Sequence, residues 1–203
     1  MTHVVIIDYG SGNIGSVANM IRRVGHHPVV SQDPDVISTA SHLVLVGVGA
    51  FDSGMSRLSS LDLIEPIRDA VRERGSHLLG VCLGMQLLTE GSDEGELDGL
   101  GFVHGRCRRL TPTTHYRVPN MGWREIYLEQ EHPVFAGLEG ASRFYFVHSY
   151  APVCEDQSNV LATLAVDRTI NAAIVSDNVI GVQFHPEKSH RFGMRLYANF
   201  CDL

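Results

Sequence analysis

Short apolar runs recur along the chain and predict buried strands. The clearest are residues 4–7, 28–30, 43–46, 77–79 and 179–184. Apolar runs of this length, bounded by polar or turn-forming residues, are typical of strands that are covered on both faces. The pattern therefore predicts a sheet with helices packed against it.

Helical periodicity fills much of the chain between these runs. Apolar residues from Ile14 to Val24 recur at helical spacing, and Gly25 marks the end of that helix. Residues 52–74 are mostly helical in pattern, and Pro66 is expected to break or kink the helix there. Residues 97–130 predict short strands and turns. The order of elements predicts an α/β fold with a mainly parallel central sheet flanked by helices and an antiparallel extension.

Composition narrows the classes of protein to consider. A chain of 203 residues with 44% hydrophobic content can bury one sizeable core, so a single domain over residues 1–203 is expected. The net charge of −7, with no Lys/Arg block beyond residues 106–109, argues against nucleic-acid binding. No apolar run approaches the roughly 18 residues of a membrane span, and residues 1–25 lack a signal-peptide pattern. Four scattered cysteines favour a reducing, cytoplasmic location.

The residues around Cys82 are those expected around a reactive cysteine, and a cysteine that only packs in the core would not need them. The segment Gly-Val-Cys-Leu-Gly-Met-Gln, residues 80–86, follows an apolar run and precedes helical periodicity. This pattern predicts a strand, a sharp turn and a helix, with Cys82 at the turn. Such a nucleophile elbow presents a side chain at a helix N-terminus, where a thiolate is stabilised. The alternative is that Cys82 is a small buried hydrophobe, as many free cysteines are.

His185 and Glu187 form the second group of candidate catalytic residues. They follow the predicted strand at residues 179–184, and Pro186 favours an extended backbone at His185. Because residues i and i+2 of an extended segment project to the same side, Glu187 can hold one ring nitrogen of His185. The other nitrogen can then exchange a proton with a thiol. The alternative is a surface loop with an incidental His and Glu among 11 histidines.

Two other kinds of site are conceivable from the residue pattern, a zinc site and a dinucleotide site. A zinc site is disfavoured because the chain has no CxxC or HxxxH pair. Gly10, Gly12 and Gly15 match the dinucleotide pattern GxGxxG, with Asp33 at about the spacing of a ribose-binding acid. However, Asp8 and the bulky residue that follows it stand where the turn should approach a pyrophosphate, so nicotinamide binding is disfavoured too. The sequence predicts neither a metal nor another cofactor.

The residues at 80–86 and 184–189 together resemble those of the class I, or triad, glutamine amidotransferases. Further segments resemble the glutaminase subunits of imidazole glycerol phosphate synthase: residues 7–13 (IDYGSGN), 47–51 (GVGAF), 121–123 (MGW) and 144–150 (FYFVHSY). The resemblance runs from residue 4 to near residue 200. It implies glutamine hydrolysis in histidine biosynthesis through a Cys82, His185 and Glu187 triad and a γ-glutamyl thioester.

The resemblance also implies roles around the triad. The tetrahedral oxyanion needs fixed donors. Leu83 N–H, directly after the nucleophile, is one, and Val48 N–H after a peptide flip is implied as the other. Gly47 is expected to let the substrate approach the backbone closely, and Gln86 to hold the amino-acid end of glutamine.

Ammonia released at such a site needs a receiving subunit. The resemblance implies a (β/α)8-barrel cyclase partner in a heterodimer, and Lys188, Asn13 and Trp123 as members of the docking face. Each has a plainer interpretation, since lysines are mostly solvated and a lone tryptophan is usually core.

The sequence departs from the family pattern at three places. Val46 stands where proline is usual, Asn120 where histidine is usual, and Val166-Asp167 where Tyr-Gly is usual. Valine relaxes the backbone before the oxyanion segment, so partner dependence is expected to be weaker than in relatives. The alternatives that remain are a paralogue that feeds another synthase, a stand-alone γ-glutamyl hydrolase and a subunit that has lost catalysis.

Overall fold

A computed structural model describes residues 3–114, 116–138, 140, 142–166 and 168–203. Its strands are β1 (Val4–Ile7), β2 (Val29–Ser31), β3 (His42–Gly47), β4 (His77–Cys82), β5 (Gly91–Ser92), β6 (Gly105–Arg109), β7 (Asn120–Glu125), β8 (Tyr127–Leu128), β9 (Arg143–His148), β10 (Tyr150–Cys154), β11 (Val160–Ala165), β12 (Thr169–Ser176) and β13 (Val179–Val182). Its α-helices are α1 (Ile14–Arg23), α2 (Pro34–Ser38), α3 (Phe51–Ser60), α4 (Ile64–Arg68), α5 (Leu83–Leu87) and α6 (His190–Cys201).

Eight of these strands form one central sheet in the order β2-β1-β3-β4-β13-β12-β11-β8. The first five are parallel, and the last three extend the sheet in antiparallel pairs. Strands β10, β6 and β5 form a second, small sheet, and β7 pairs with β9 in a third. The predicted fold class is confirmed.

Two apolar layers cover the two faces of the central sheet. Val4 and Ile6 of β1 face the layer built with α1 and α6, whereas Val5 and Ile7 face the layer built with α3, α4 and α5. This alternation explains why the strand is apolar at every position. Because β3, β4 and β13 are parallel neighbours, their carboxyl ends meet at one edge, and the candidate residues collect there.

The break in the predicted helix of residues 52–74 lies before Pro66 and not at it. Helix α3 ends at Ser60, Asp62 takes a positive φ of 53°, and α4 starts at Ile64. Pro66 is then in the first turn of α4, where its missing N–H costs no helical hydrogen bond. A π-helical turn, Asp69–Glu73, continues from α4. The expectation that Pro66 interrupts the helix was therefore wrong.

Among the described residues, no helix has both the length and the apolar character that a membrane crossing requires.

A buried histidine at the start of β3 leads to a prediction about stability. His42 is 5% exposed, and its ring lies 5.0 Å from that of His77 and 5.3 Å from that of Phe200. Burial, helped by the nearby histidines His77 and His26, lowers the pKa of His42 to about 4. The unfolded chain, with an ordinary histidine pKa, binds this proton as the pH falls below about 6.5, and the folded chain does not. The free energy of unfolding should therefore fall between pH 6.5 and 4, by up to about 1.4 kcal/mol per pH unit for this residue.

His42→Leu should reduce that pH dependence, as measured by urea unfolding at pH 7 and pH 5. The same change at exposed His27 serves as the control. An unchanged pH dependence in His42→Leu would show that His42 is not the responsible group.

Candidate active site

Cys82 occupies a strained turn between β4 and α5. Its backbone has φ 55° and ψ −109°, a region that non-glycine residues rarely adopt and that costs about 1–3 kcal/mol. Two glycines make the turn possible. A Cβ at Gly84 would overlap the carbonyl oxygen of Leu45, and one at Gly80 would lie 2.7 Å from the carbonyl oxygen of Gly84. The pattern Gly-x-Cys-x-Gly therefore allows α5 to press against the sheet while Cys82 turns out of it.

The thiol lies in a cavity of about 480 Å³ and not on the outer surface. Only 8% of Cys82 is exposed, and the residue lines this cavity. The side chains that share the lining and carry chemistry are Gln86, Glu94, His148 and His185. A small polar molecule can thus reach the sulfur through this cavity, which opens to solvent.

His185 and Glu187 come together as their spacing predicts. Nδ1 of His185 lies 2.9 Å from Oε1 of Glu187, and the two side chains are 1% and 0% exposed. His185 has an extended backbone (φ −103°, ψ 95°) and is followed by the 3-10 turn Pro186–Lys188. Within the part of the chain that is described, Nε2 of His185 is buried and has no hydrogen-bond partner. This nitrogen is the one available for proton exchange.

The electrostatic setting of His185 favours its protonated form. Burial alone lowers the pKa of His185, but the contacts with Cys82 and Glu187 outweigh burial and raise it to about 9. At neutral pH the imidazole can therefore hold a proton beside the sulfur. The arrangement suits a thiolate–imidazolium pair, in which a histidine delivers a proton to a leaving group.

Three polar residues of the site were not identified from the sequence. Gln183 Nε2 lies 3.9 Å from the sulfur of Cys82, and Glu94 Oε2 accepts the Phe51 N–H at 2.9 Å at the start of α3. His148 lines the same cavity. Gln183 had a usable signal, because it stands two residues before His185 in an extended segment and so projects to the same side. His148 stands in the segment 144–150 that carries the resemblance, but the segment alone assigns it no role, and Glu94 has no comparable signal.

The predicted oxyanion donors differ in their present orientation. Leu83 is the first residue of α5, so its N–H has no partner within the helix. Val48 N–H donates instead to the hydroxyl of Ser11 at 3.1 Å, and that hydroxyl lies 2.9 Å from the Val48 carbonyl, to which it donates. Ser11 thus holds the Val48 backbone through both of its polar groups. The peptide flip that the resemblance implies would have to break this contact.

Gly47 is placed differently from the expectation. The cavity lining contains Val48, Gly49 and Ala50, and Gly47 is buried just behind it. A Cβ at Gly47 would meet the hydroxyl of Tyr9 and the Leu83 side chain. Its glycine character is therefore needed for internal packing, and the close approach of substrate at Gly47 stays a prediction.

Gln86 lies where the resemblance implies. It is 5% exposed, lines the cavity one turn beyond Cys82, and its Nε2 donates to the Tyr150 carbonyl and to Gln183 Oε1, both at 3.2 Å. The plainer interpretation, an exposed polar residue on a helix face, is excluded by this burial.

Two of the three expected docking residues, Trp123 and Lys188, contact one partly exposed aromatic group close to the triad. Trp123 stacks on His190 with 5.5 Å between ring centroids, and its edge meets Tyr145 at 6.2 Å. Lys188 Nζ lies 5.7 Å from the centroid of the same Tyr145 ring. Asn13 is exposed at the N-terminus of α1, and α1 packs against the Pro186–Lys188 turn.

Comparison with known proteins identifies the family. The model of the family "Glutamine amidotransferase class-I" matches residues 5–202. The chain is 46% identical over 197 residues to imidazole glycerol phosphate synthase subunit HisH 2 of Methanococcus maripaludis, covering 97% of this chain and 98% of that protein. It is 44% identical over 200 residues to HisH 2 of Pseudomonas aeruginosa, covering 98% and 99%. The chain belongs to the HisH subunits of the class-I glutamine amidotransferases.

Solved structures agree at the level of the HisH fold. PurLQS from Thermotoga maritima superposes with a TM-score of 0.71 at 17% identity, covering 99% of this chain and 98% of that one. The glutaminase domain of Trypanosoma brucei CTPS with bound acivicin gives 0.66 at 14% identity, covering 100% and 94%. At these identities the likeness supports the fold alone.

The departures from the HisH pattern lie in three different environments. Val46 is fully buried near the end of β3, against Gly12 of the N-terminal loop. Asn120 is fully buried at the start of β7. Val166 is 37% exposed, and Asp167 lies outside the described residues.

Removing the Ser11 hydroxyl should raise the glutaminase rate of this HisH chain in the absence of a partner. In Ser11→Ala, Val48 N–H loses its acceptor and can turn toward the cavity more readily. The loss of one hydrogen bond changes such an equilibrium by about fivefold. Ammonia release from glutamine measures the rate, with Ser56→Ala, an exposed residue of α3, as the control. An unchanged or lower rate in a folded Ser11→Ala protein would contradict the holding role.

Proposed function

We propose that this chain hydrolyses glutamine to glutamate and ammonia as the glutaminase subunit of an imidazole glycerol phosphate synthase. One observation carries the assignment. A strained cysteine at the N-terminus of a helix shares a cavity with a buried histidine that a buried carboxylate holds at 2.9 Å. The HisH relatives cover almost the whole chain, which supports the same activity.

The reaction assigned to this cavity begins at sulfur. The Cys82 thiolate attacks the side-chain amide carbon of glutamine, and Leu83 N–H donates to the resulting oxyanion. The C–N bond then breaks, His185 gives its proton to the leaving nitrogen, and ammonia departs from a γ-glutamyl thioester. His185, now neutral, removes a proton from water, which attacks the thioester carbon. Glutamate leaves and the thiolate–imidazolium pair is restored. Glu187 holds the ring and stabilises its cation throughout.

Substrate recognition falls to the polar groups around the sulfur. Gln86 faces the cavity beside the Tyr150 carbonyl, and the Glu94 carboxylate lines it as well. A carboxylate here is complementary to the α-ammonium group of an amino acid, so we assign Glu94 to that end of glutamine together with Gln86. Val48 is assigned as the second oxyanion donor once its N–H leaves Ser11.

The ammonia is passed to a (β/α)8-barrel cyclase subunit. We assign the docking surface to Asn13, Trp123, Tyr145, Lys188 and His190. Lys188 and His190 follow Glu187 closely in the chain, and Lys188 lies over the Tyr145 ring. An aromatic patch that carries charge at its edge is typical of interfaces. Delivery through a partner also keeps free ammonia from being lost to protonation and diffusion. The complex is proposed to work in the cytoplasm.

The proposal is tested by measuring glutamine hydrolysis by the chain alone and after mixing with a cyclase subunit of imidazole glycerol phosphate synthase. A rise in rate on mixing, with ammonia incorporated into imidazole glycerol phosphate, is expected. Lys188→Ala should weaken the rise, whereas Lys188→Arg should largely retain it. High activity alone on γ-glutamyl peptides would instead indicate a stand-alone hydrolase. A glutaminase unaffected by the cyclase would indicate a paralogue with another acceptor.

A further inference from the structure

A buried hydrogen-bonded pair, Asn120 and His148, lies between the docking surface and the glutamine cavity. Asn120 is fully buried at the start of β7, and His148 is 6% exposed at the end of β9. The two residues face each other across this pair of strands, and the Asn120 amide nitrogen lies 2.9 Å from His148 Nε2. Met121 and Trp123 of the same β7 strand reach the outer surface, Met121 with 56% exposure.

Groups at the two ends of this pair determine where its hydrogens are. Arg124 Nε can only donate, and it lies 3.2 Å from the Asn120 side-chain oxygen, so the amide NH₂ must point at His148. The Tyr150 carbonyl can only accept, and it lies 2.8 Å from His148 Nδ1, so Nδ1 must carry a hydrogen. Both ends therefore lead independently to one state of His148: neutral, with Nδ1 protonated and Nε2 accepting.

The same carbonyl connects His148 to the substrate pocket. Tyr150 C=O also accepts from Gln86 Nε2 at 3.2 Å, and Gln86 Nε2 is shared with Gln183 Oε1 at 3.2 Å. Gln183 Nε2 reaches the sulfur of Cys82 at 3.9 Å. A continuous series of hydrogen bonds thus joins β7 to the group assigned to glutamine binding, and its two halves both donate to the Tyr150 carbonyl.

The neighbours of His148 also require it to be neutral. Burial lowers the pKa of His148 to about 4, the Tyr150 carbonyl opposes this shift, and charge on His185 adds to it. The other ionisable groups that face the same cavity are Cys82, Glu94 and Tyr150, while Arg124 is separated from the ring by Asn120. A second imidazolium beside His185 would repel it.

We propose that Asn120 is a positioning residue for glutamine binding. By donating to Nε2, Asn120 fixes the Nδ1–H tautomer of His148. His148 then donates from Nδ1 to the Tyr150 carbonyl and holds this carbonyl where it can accept the hydrogen bond from Gln86. Asn120 touches no substrate itself. The proposal rests on the proposed function only for the kinetic measurement below, in which glutamine is the substrate.

Two measurements test the proposal, and the first needs no enzymatic activity. In ¹⁵N-labelled protein at pH 7, long-range ¹H–¹⁵N spectra should show Nδ1 of His148 protonated and Nε2 unprotonated, with the signals assigned by their loss in His148→Gln. In Asn120→Asp the carboxylate faces Nε2, so both nitrogens should be protonated. An Nε2–H tautomer in the parent protein would overturn the proposal even if no Asn120 variant folds.

The second measurement separates KM from kcat in glutamine hydrolysis. Asn120→Ala should raise KM for glutamine by about fivefold, the effect of one lost hydrogen bond, with kcat within about twofold. Asn120→His, which keeps a ring N–H donor, should restore KM. Asn199→Ala is the matched control, because its amide bonds the Val134 and Ala136 carbonyls away from the cavity. If Asn120→Ala changes KM no more than Asn199→Ala does, Asn120 is only a packing residue. If the parent hydrolyses no glutamine, the proposed function fails while the spectra still decide the tautomer.

Discussion

Cys82→Ala is expected to abolish glutamine hydrolysis, lowering kcat by about four orders of magnitude or more. The assigned reaction forms and then hydrolyses a thioester on the Cys82 sulfur. Without this nucleophile the thioester cannot form, so the covalent route is lost entirely. The fold should survive, because alanine is smaller than cysteine and the turn is imposed by the packing of Gly80 and Gly84. Cys82→Ser should also be inactive or nearly so, since a hydroxyl is a far weaker nucleophile than a thiolate.

Ammonia release measures this loss, and circular dichroism together with binding to the cyclase subunit checks the fold. Cys154→Ala is the control, because Cys154 is buried in β10 and is not part of the cavity lining. Substantial residual hydrolysis in Cys82→Ala would mean that another group attacks glutamine.

His185→Ala and Glu187→Gln should give unequal losses, with the larger loss at His185. His185 carries the proton in both half-reactions, whereas Glu187 only orients the ring and stabilises its cation. Glu187→Gln also removes one of the two contacts that raise the pKa of His185 to about 9. Since the raised pKa keeps the imidazolium up to about pH 9, its alkaline loss should begin at a lower pH in this variant.

Steady-state rates over pH 6 to 10 test both parts of this prediction. We expect kcat to be highest in the parent, lower in Glu187→Gln and lowest in His185→Ala. The alkaline limb of the pH–rate profile of Glu187→Gln should lie at lower pH than that of the parent. Equal losses at the two positions, or an alkaline limb displaced to higher pH, would reject the assigned roles.

The parts of the site that depend on short-range geometry could be predicted from the sequence. The elbow is encoded by a strand, two glycines and a helix within a few residues, and the His185–Glu187 contact follows from their spacing of two in an extended segment. The parallel order of the strands was likewise readable from alternating apolar runs and helices.

The sequence could not give the parts that depend on long-range packing. The Asn120–His148 bond joins two residues 28 apart through the register of β7 and β9, which periodicity does not specify. The packing of Gly47 against Tyr9 is of the same kind, because it depends on β1 and β3 lying side by side. The break between α3 and α4 is hidden in the sequence too, because the positive φ of Asp62 leaves no compositional mark.

The most direct test of the account is to identify the residue that a thiol-reactive glutamine analogue modifies. The protein is incubated with the analogue, digested, and mapped by peptide mass spectrometry, with excess glutamine as competitor. We expect one adduct, on Cys82, formed with loss of glutaminase activity and suppressed by glutamine. Preferential modification of Cys107, Cys154 or Cys201, or modification of Cys82 that glutamine does not suppress, would contradict the assignment of Cys82 as the nucleophile that attacks glutamine.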